Sequence, residues 1–179
     1  MAQPVVLIVG AGDYIGAAIA KRFASGGFAV CMGRRNGDKL APLVAEIVAD
    51  GGVAHGFTMD ARDEDSVAKA FKTVEDTVGP IDLVIFNVGG NVRFSILDTT
   101  ARVFRKVWEM ATFAGFLSGR EAARYMVPRG RGAIFSPARP PVCAAMPGLL
   151  PLARARLVLG RWRNHWHGKW GQRIFTWHI

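Results

Sequence analysis

An apolar run that ends in a glycine loop, close to the start of the chain, constrains the fold more than any other feature. Val5–Val9 is strand-sized and lacks polar alternation, which is typical of a parallel strand covered on both faces. It leads into Gly10-x-Gly12-x-x-x-Gly16 and a helix predicted over residues 17–25. Glycines at such a turn let backbone N–H groups approach a pyrophosphate at the helix N-terminus, where the helix dipole favours an anion. The loop therefore predicts a nucleotide site, and the alternative is a tight turn without a ligand.

Strand-like and helix-like segments alternate along the first three quarters of the chain. Strands are predicted at 5–9, 28–32, 53–59, 81–86 and from 132, and helices at 17–25, 39–50, 63–78 and 99–126. This alternation predicts a Rossmann-type α/β fold, a doubly wound parallel sheet in three α/β/α layers with right-handed crossovers. Ligands of such sheets bind at the carboxyl ends of the strands. We therefore expect the loops at 10–16, 33–36, 60 and 87–90 to lie at one edge.

Two arginines, Arg34 and Arg35, follow the second predicted strand. A site that prefers NAD(H) usually has an acid there for the ribose hydroxyls, and no acid stands in the first positions of this loop. Guanidinium groups offer forked donors that suit the oxygens of a 2′-phosphate. The sequence therefore favours NADP(H) over NAD(H), with a solvated basic turn as the alternative.

The glycine loop, the acid Asp60 at the end of the third strand, and Asn87-Val88-Gly89 after the fourth strand resemble the short-chain dehydrogenase/reductase family. In that family they are the cofactor loop, an acid near the adenine, and an Asn-Ala-Gly motif that stabilises the sheet. The order and spacing match across residues 4–135, so the resemblance implies a dinucleotide-binding domain at 1–135. One departure is Tyr14, where the family usually has a glycine. The implied cofactor-binding residues are Gly10, Gly12, Asp13, Tyr14, Ile15, Gly16, Arg34, Arg35, Asp60, Ala61, Asn87, Val88 and Gly89.

The resemblance also implies catalysis by an Asn, a Ser, a Tyr and a Lys, and this set is not intact. Ala111 stands at the expected Asn position, three residues after Trp108. Neither Tyr14 nor Tyr125 is followed by a lysine four residues later, and Ser136 is a weak match to the catalytic serine. We expect no catalytic residue to be intact and the chain as written to be inactive. The family implies NADP(H)-dependent oxidoreduction of a small-molecule carbonyl or alcohol, with homo-oligomeric full-length relatives; the alternative is a catalytically silent dinucleotide-binding protein.

The positive charge of the chain is concentrated at one end. The formal net charge is +9, and the last acid is Glu121. The segment 136–179 is rich in Trp, Arg and Pro and has four of the five tryptophans. It predicts an aberrant, poorly ordered tail, and the family pattern stops where it begins. Binding of single-stranded nucleic acid or of a membrane surface is an alternative for such a tail, but neither partner is expected.

The preferred interpretation of the tail is a family sequence read in the wrong frame, which leaves the sheet truncated at its C-terminal side. Tryptophan has the single codon TGG, so a shifted reading fixes the first base of the next codon as G. Trp166–His167 and Trp177–His178 then encode Ala, and Trp170–Gly171 encodes Gly. These residues suit the amphipathic helix and strand that the family resemblance implies there.

The remaining bulk properties predict a cytoplasmic location. No apolar run approaches the roughly 20 residues that span a bilayer, and the first residues do not predict a signal peptide. Cys31 and Cys143 do not make a disulfide framework, which favours a reducing compartment. Both cysteines are predicted to be buried packing residues, and no metal site is predicted.

Overall fold

The computed structural model of the chain describes residues 3–89 and 95–136. Five parallel strands form one sheet in the order β3-β2-β1-β4-β5. The strands are β1 (Val5–Val9), β2 (Ala29–Arg34), β3 (Val53–Thr58), β4 (Ile81–Phe86) and β5 (Ala133–Phe135). The helices are α1 (Ile15–Ser25), α2 (Ala41–Ala49), α3 (Glu64–Thr77), α4 (Ala101–Trp108) and α5 (Ala114–Arg129). The predicted Rossmann-type α/β fold is confirmed.

The apolar strands explain the three layers. Every residue of β1 is buried, and its side chains alternate between two separate core clusters. On one face, Leu7 packs in the cluster that contains Phe71 of α3 and Leu117 of α5. On the other face, Ile8 packs in the cluster that contains Ile47 of α2. A strand buried on both faces needs no polar alternation, which is why the run Val5–Val9 predicts its place at the centre of the sheet.

The helix boundaries differ from the predictions in places that local chemistry explains. The segment predicted as one helix over 39–50 is a 3-10 turn, Gly37–Leu40, followed by α2. The predicted long helix is α4 and α5 joined by a π-helical turn, Glu109–Phe113. The predicted end at residue 126 is wrong, because α5 continues through Pro128 to Arg129 and is followed by Gly130 as its C-cap. That glycine adopts a left-handed conformation with φ 64°, which favours glycine at a helix end.

The described residues end just after β5. Within them, β5 pairs with β4 alone. The segment predicted as a tail lies outside the described residues from 137 onward, as does Gly90. Cys31 is buried, as predicted, and Cys143 lies outside the described residues. No helix within 3–89 and 95–136 is long and apolar enough to cross a bilayer.

Candidate functional site

The glycine loop is fixed at the carboxyl edge of the sheet by its two neighbouring strands. The carbonyl oxygen of Gly33 accepts hydrogen bonds from the amides of Gly10 and Ala11, both at 3.0 Å. On the other side, the amide of Asn87 donates to the Val9 carbonyl at 2.8 Å, and its side-chain Nδ2 donates to the Gly10 carbonyl at 3.1 Å. The loop therefore has a defined shape that the ends of β2 and β4 impose.

The three glycines of the loop differ in what a Cβ atom would contact at each position. Gly10 has φ +86°, and a Cβ there would lie 2.6 Å from Cγ2 of Val88. A Cβ on Gly16 would lie 2.7 Å from Cα of Ala11, so glycine allows α1 to pack closely against the loop. A Cβ on Gly12 would meet nothing within 4 Å. Gly12 therefore borders open space at the N-terminus of α1.

That open space is lined by unused backbone donors. The amides of residues 13–16 donate to no group in the part of the chain that the structure describes, and α1 has no side-chain cap. Unpaired N–H groups at a helix N-terminus, together with the helix dipole, favour an anion. A dinucleotide pyrophosphate fits this donor set and the free space beside Gly12.

Tyr14 occupies the position of a family glycine with a negative φ. Its φ is −109°, and no non-glycine residue among those described has a positive φ. The residue is 88% exposed. The loop therefore accommodates a side chain at this position, and the ring lies on the surface beside the unpaired amides.

Arg34 is the last residue of β2, and its guanidinium group contacts the glycine loop. Nη1 donates to Oδ1 of Asp13 at 2.5 Å and Nη2 donates to Oδ2 at 3.5 Å. The hydrogen bond from Arg34 and its charge hold the pKa of the Asp13 carboxyl below its usual value. Arg35, the next residue, is exposed. The sequence placed Asp13 and Arg34 in the same site, but it did not reveal that they pair with each other.

Asp60 lies two residues beyond β3 at the same edge and is paired with Arg62. Nε and Nη2 of Arg62 donate to its carboxylate at 3.0 and 2.7 Å. These hydrogen bonds lower the pKa of Asp60. Asp60 and Arg62 border a cleft of about 410 Å³ that Trp108 and Phe113 also line. The two rings stack with centroids 5.8 Å apart. The sequence patterns did not single out Arg62 as a site residue. The signal that could have found it is an arginine two residues after an acid.

The two positions that correspond to the family's catalytic asparagine and serine lie on different elements. Ala111 is in the π-helical turn between α4 and α5, and Ser136 directly follows β5. The methyl group of Ala111 can neither donate nor accept a proton. In the described ranges, no three His, Cys, Asp or Glu side chains form a group that could hold a metal ion.

The sequence that contains the glycine loop, Asp60 and Asn87 matches a known family. A model described as short chain dehydrogenase matches residues 4–136. The chain belongs to the short-chain dehydrogenase family. Members of this family are oxidoreductases that bind NAD(P) cofactors, and the match spans every strand of the sheet described above.

Three similar proteins show how far this chain resembles known members of the family. Gluconate 5-dehydrogenase of Gluconobacter oxydans is 28% identical over 166 residues, covering 93% of this chain and 65% of the relative. The crystal structure of a short-chain dehydrogenase from Rhodopseudomonas palustris is 58% identical with TM-score 0.70, covering 74% of this chain and 62% of that one. An actinorhodin polyketide ketoreductase variant, crystallised with NADPH, is 26% identical with TM-score 0.72, covering 76% and 54%.

The chain is shorter than these relatives. It spans 65% of gluconate 5-dehydrogenase and 50% of a short-chain dehydrogenase/reductase from Armillaria gallica, to which it is 33% identical over 130 residues. The part that matches the family model contains every strand of the described sheet, and the site described above lies within it.

Proposed function

We propose that this chain binds NADP(H) at the glycine loop and derives from an oxidoreductase that acts on a carbonyl/alcohol pair. The observation that carries the proposal is the set of unpaired amides at residues 13–16 beside the open space at Gly12. These donors suit a pyrophosphate, and the nicotinamide of a bound cofactor would supply or accept a hydride. The NADPH held by the ketoreductase relative is consistent with this choice of nucleotide.

Preference for the phosphorylated cofactor rests on the cations at the end of β2. Arg34 and Arg35 stand at the end of the strand next to the glycine loop, and Arg35 is exposed. An arginine can donate two parallel, charge-assisted hydrogen bonds to a phosphate. A ribose hydroxyl is uncharged and therefore forms a weaker hydrogen bond with the same arginine. Asp60 would lie near the adenine, as the family resemblance implies, and its pairing with Arg62 keeps its carboxylate ionised.

For the chain as given we propose binding without turnover. Ala111 cannot take the part of the family's asparagine, and no tyrosine is followed by a lysine four residues later. Ser136 has no proton-transfer partner of that kind. A catalytically silent dinucleotide-binding protein is therefore the second candidate function, and Ala111 is the observation that favours it. Homo-oligomeric full-length relatives and a cytoplasmic location stay predictions, as does the absence of nucleic-acid and membrane partners.

Calorimetric titration of the full chain with NADPH and NADH tests this function. We expect NADPH to bind more tightly, and Arg35→Ala to weaken NADPH binding about tenfold, since a charge-assisted hydrogen bond contributes about 1.5–3 kcal/mol. NADH binding should stay within about twofold because that ligand lacks the phosphate. Arg105→Ala, which removes an exposed arginine of α4, is the matched control. Equal affinity for both nucleotides would contradict the preference, and hydride transfer by this chain to a carbonyl panel would contradict its inactivity.

A further inference from the structure

We propose that Asp13 is a specificity-determining residue that holds the forked donors of Arg34 in an internal ion pair and so lowers the affinity for a 2′-phosphate. The inference rests on the proposed binding of a dinucleotide at the glycine loop. It adds to that proposal an acid which restrains the preference that the two arginines would otherwise give.

The contact geometry occupies the donors that a phosphate would need. Both terminal nitrogens of Arg34 face the two oxygens of Asp13, at 2.5 and 3.5 Å. A guanidinium group binds phosphate through the same parallel pair of donors. A 2′-phosphate can therefore use the Nη1/Nη2 fork of Arg34 only after the Asp13 carboxylate has left it.

The exposure of the two partners shows which of them shields the other. The Arg34 side chain is 23% exposed, whereas that of Asp13 is 69% exposed. The carboxylate thus lies on the solvent side of the pair, where an approaching ligand meets it first. A phosphate near this carboxylate experiences like-charge repulsion as well as competition for the same donors.

The backbone keeps the pair together. Arg34 directly follows Gly33, whose carbonyl oxygen binds the amides of Gly10 and Ala11. Asp13 lies two residues further along the same loop. Because the loop and the strand end are joined by these hydrogen bonds, the ion pair belongs to the resting shape of the site and is present before any ligand arrives.

Among the charged residues around this site, Asp13 is the acid that determines the affinity for a 2′-phosphate. Asp13 lines a cleft of about 270 Å³ together with Lys21, Lys39 and Glu46. Glu46 forms an ion pair with Lys21 across this cleft. Lys39 adds positive charge near Asp13. Removal of the Asp13 charge should therefore expose a cationic surface formed by Arg34, Arg35 and Lys39.

The test compares 2′,5′-ADP with 5′-AMP, which share the adenosine half and differ in the 2′-phosphate. Calorimetry on the full chain should show that Asp13→Asn tightens 2′,5′-ADP binding about tenfold, as expected when one competing charged hydrogen bond is removed. The affinity for 5′-AMP should change less than about twofold. Asp13→Ser removes the charge with a different side chain and should give the same result, which guards against a folding defect of one variant.

Two further variants tie the effect to the ion pair. Asp38→Asn makes the same change in net charge at an exposed acid that forms no ion pair within the described ranges, and should leave both affinities unchanged. In Asp13→Asn/Arg34→Gln the gain should disappear, because a double-mutant cycle isolates the coupling between the two residues. An unchanged or weakened affinity of Asp13→Asn for 2′,5′-ADP, with wild-type binding intact, overturns this inference alone. Failure of the wild-type chain to bind NADPH, NADH and both adenosine ligands overturns the proposed function and this inference with it.

Discussion

At the scale of single residues, Gly10 and Gly12 separate the stability of the loop from its ability to bind. Gly10→Ala places a Cβ 2.6 Å from Val88 Cγ2 at φ +86°. We expect the free energy of unfolding to fall by about 2–3 kcal/mol, from backbone strain and overpacking. The Cβ that Gly12→Ala adds meets no atom within 4 Å. The free energy of unfolding should therefore change by less than about 0.5 kcal/mol. The added methyl group would instead occupy the space proposed for the pyrophosphate.

Denaturant unfolding and NADPH titration of both variants check this contrast. Gly12→Ala should keep the wild-type unfolding midpoint and lose NADPH affinity by about tenfold or more, since a close backbone approach to the phosphates is blocked. If Gly12→Ala binds NADPH as well as the wild type does, the pyrophosphate does not lie beside Gly12. A Gly10→Ala variant as stable as the wild type would show that Val88 and the loop can shift at little cost.

The same residues show which parts of the site the sequence could predict. The glycine loop, Asp60 and Asn87 were predictable because each follows a strand whose apolar pattern is visible, and parallel strands end at one edge. The pair Asp13–Arg34 was not predictable. The two residues are 21 positions apart, and their contact depends on the hydrogen bonds of Gly33 that bring the loop onto β2. Whether these residues bind a cofactor stays a prediction.

At the scale of elements, Arg129 joins the end of α5 to α3 and to the start of β4. Its Nη1 and Nη2 donate to the two oxygens of Glu75, both at 2.8 Å, and Glu75 accepts the amide of Ile81 at 3.0 Å. The Glu75 side chain is 12% exposed. Removal of one partner from a largely buried pair leaves the other charge without compensation.

We therefore expect Arg129→Met to lower the free energy of unfolding by about 2–3 kcal/mol, below the value for a fully buried pair because Arg129 is partly exposed. Lys72→Met is the matched control. It breaks the exposed i,i+4 pair with Asp76 on α3, and such pairs contribute little to stability. Chemical denaturation of both variants measures the two free energies of unfolding. Equal stabilities for Arg129→Met and Lys72→Met would show that α5 is held by its apolar face alone.

Element boundaries also show where sequence patterns fail. Helical periodicity predicted one helix where the chain forms α4, a π-helical turn and α5. A π-helical turn changes the hydrogen-bond partner by one residue and is rare, so the periodicity of a regular helix does not predict it. The pattern therefore could not reveal it. The turn contains Ala111, so this departure from regular helix falls at the position where the family resemblance implies a catalytic asparagine.

At the scale of the whole molecule, the described sheet presents an uncovered side at β5. Phe135 of β5 and Val127 of α5 are exposed, and within the described part of the chain β5 pairs with β4 alone. The family model ends at residue 136, whereas the alignment to gluconate 5-dehydrogenase covers 166 residues and so extends beyond it. The end of the family match favours a basic segment 136–179 that is read in a shifted frame. The longer alignment to gluconate 5-dehydrogenase favours a segment that is read in the correct frame. The composition of the segment favours the shifted frame.

Sequencing of the coding DNA across codons 134–138 and past codon 179 decides between them. We expect one extra or missing base. Correcting it would restore a segment in which the fixed Trp codons give Ala and Gly. We expect this segment to form elements beside β5 that cover Phe135. The restored chain should bind NADPH and lose the exposed apolar surface, which dye binding would report as a drop in fluorescence. An intact frame with a genuine stop codon would contradict the frame hypothesis. The Trp- and Arg-rich segment would then be a real part of the protein, and its binding to single-stranded nucleic acid and to anionic vesicles should be measured directly.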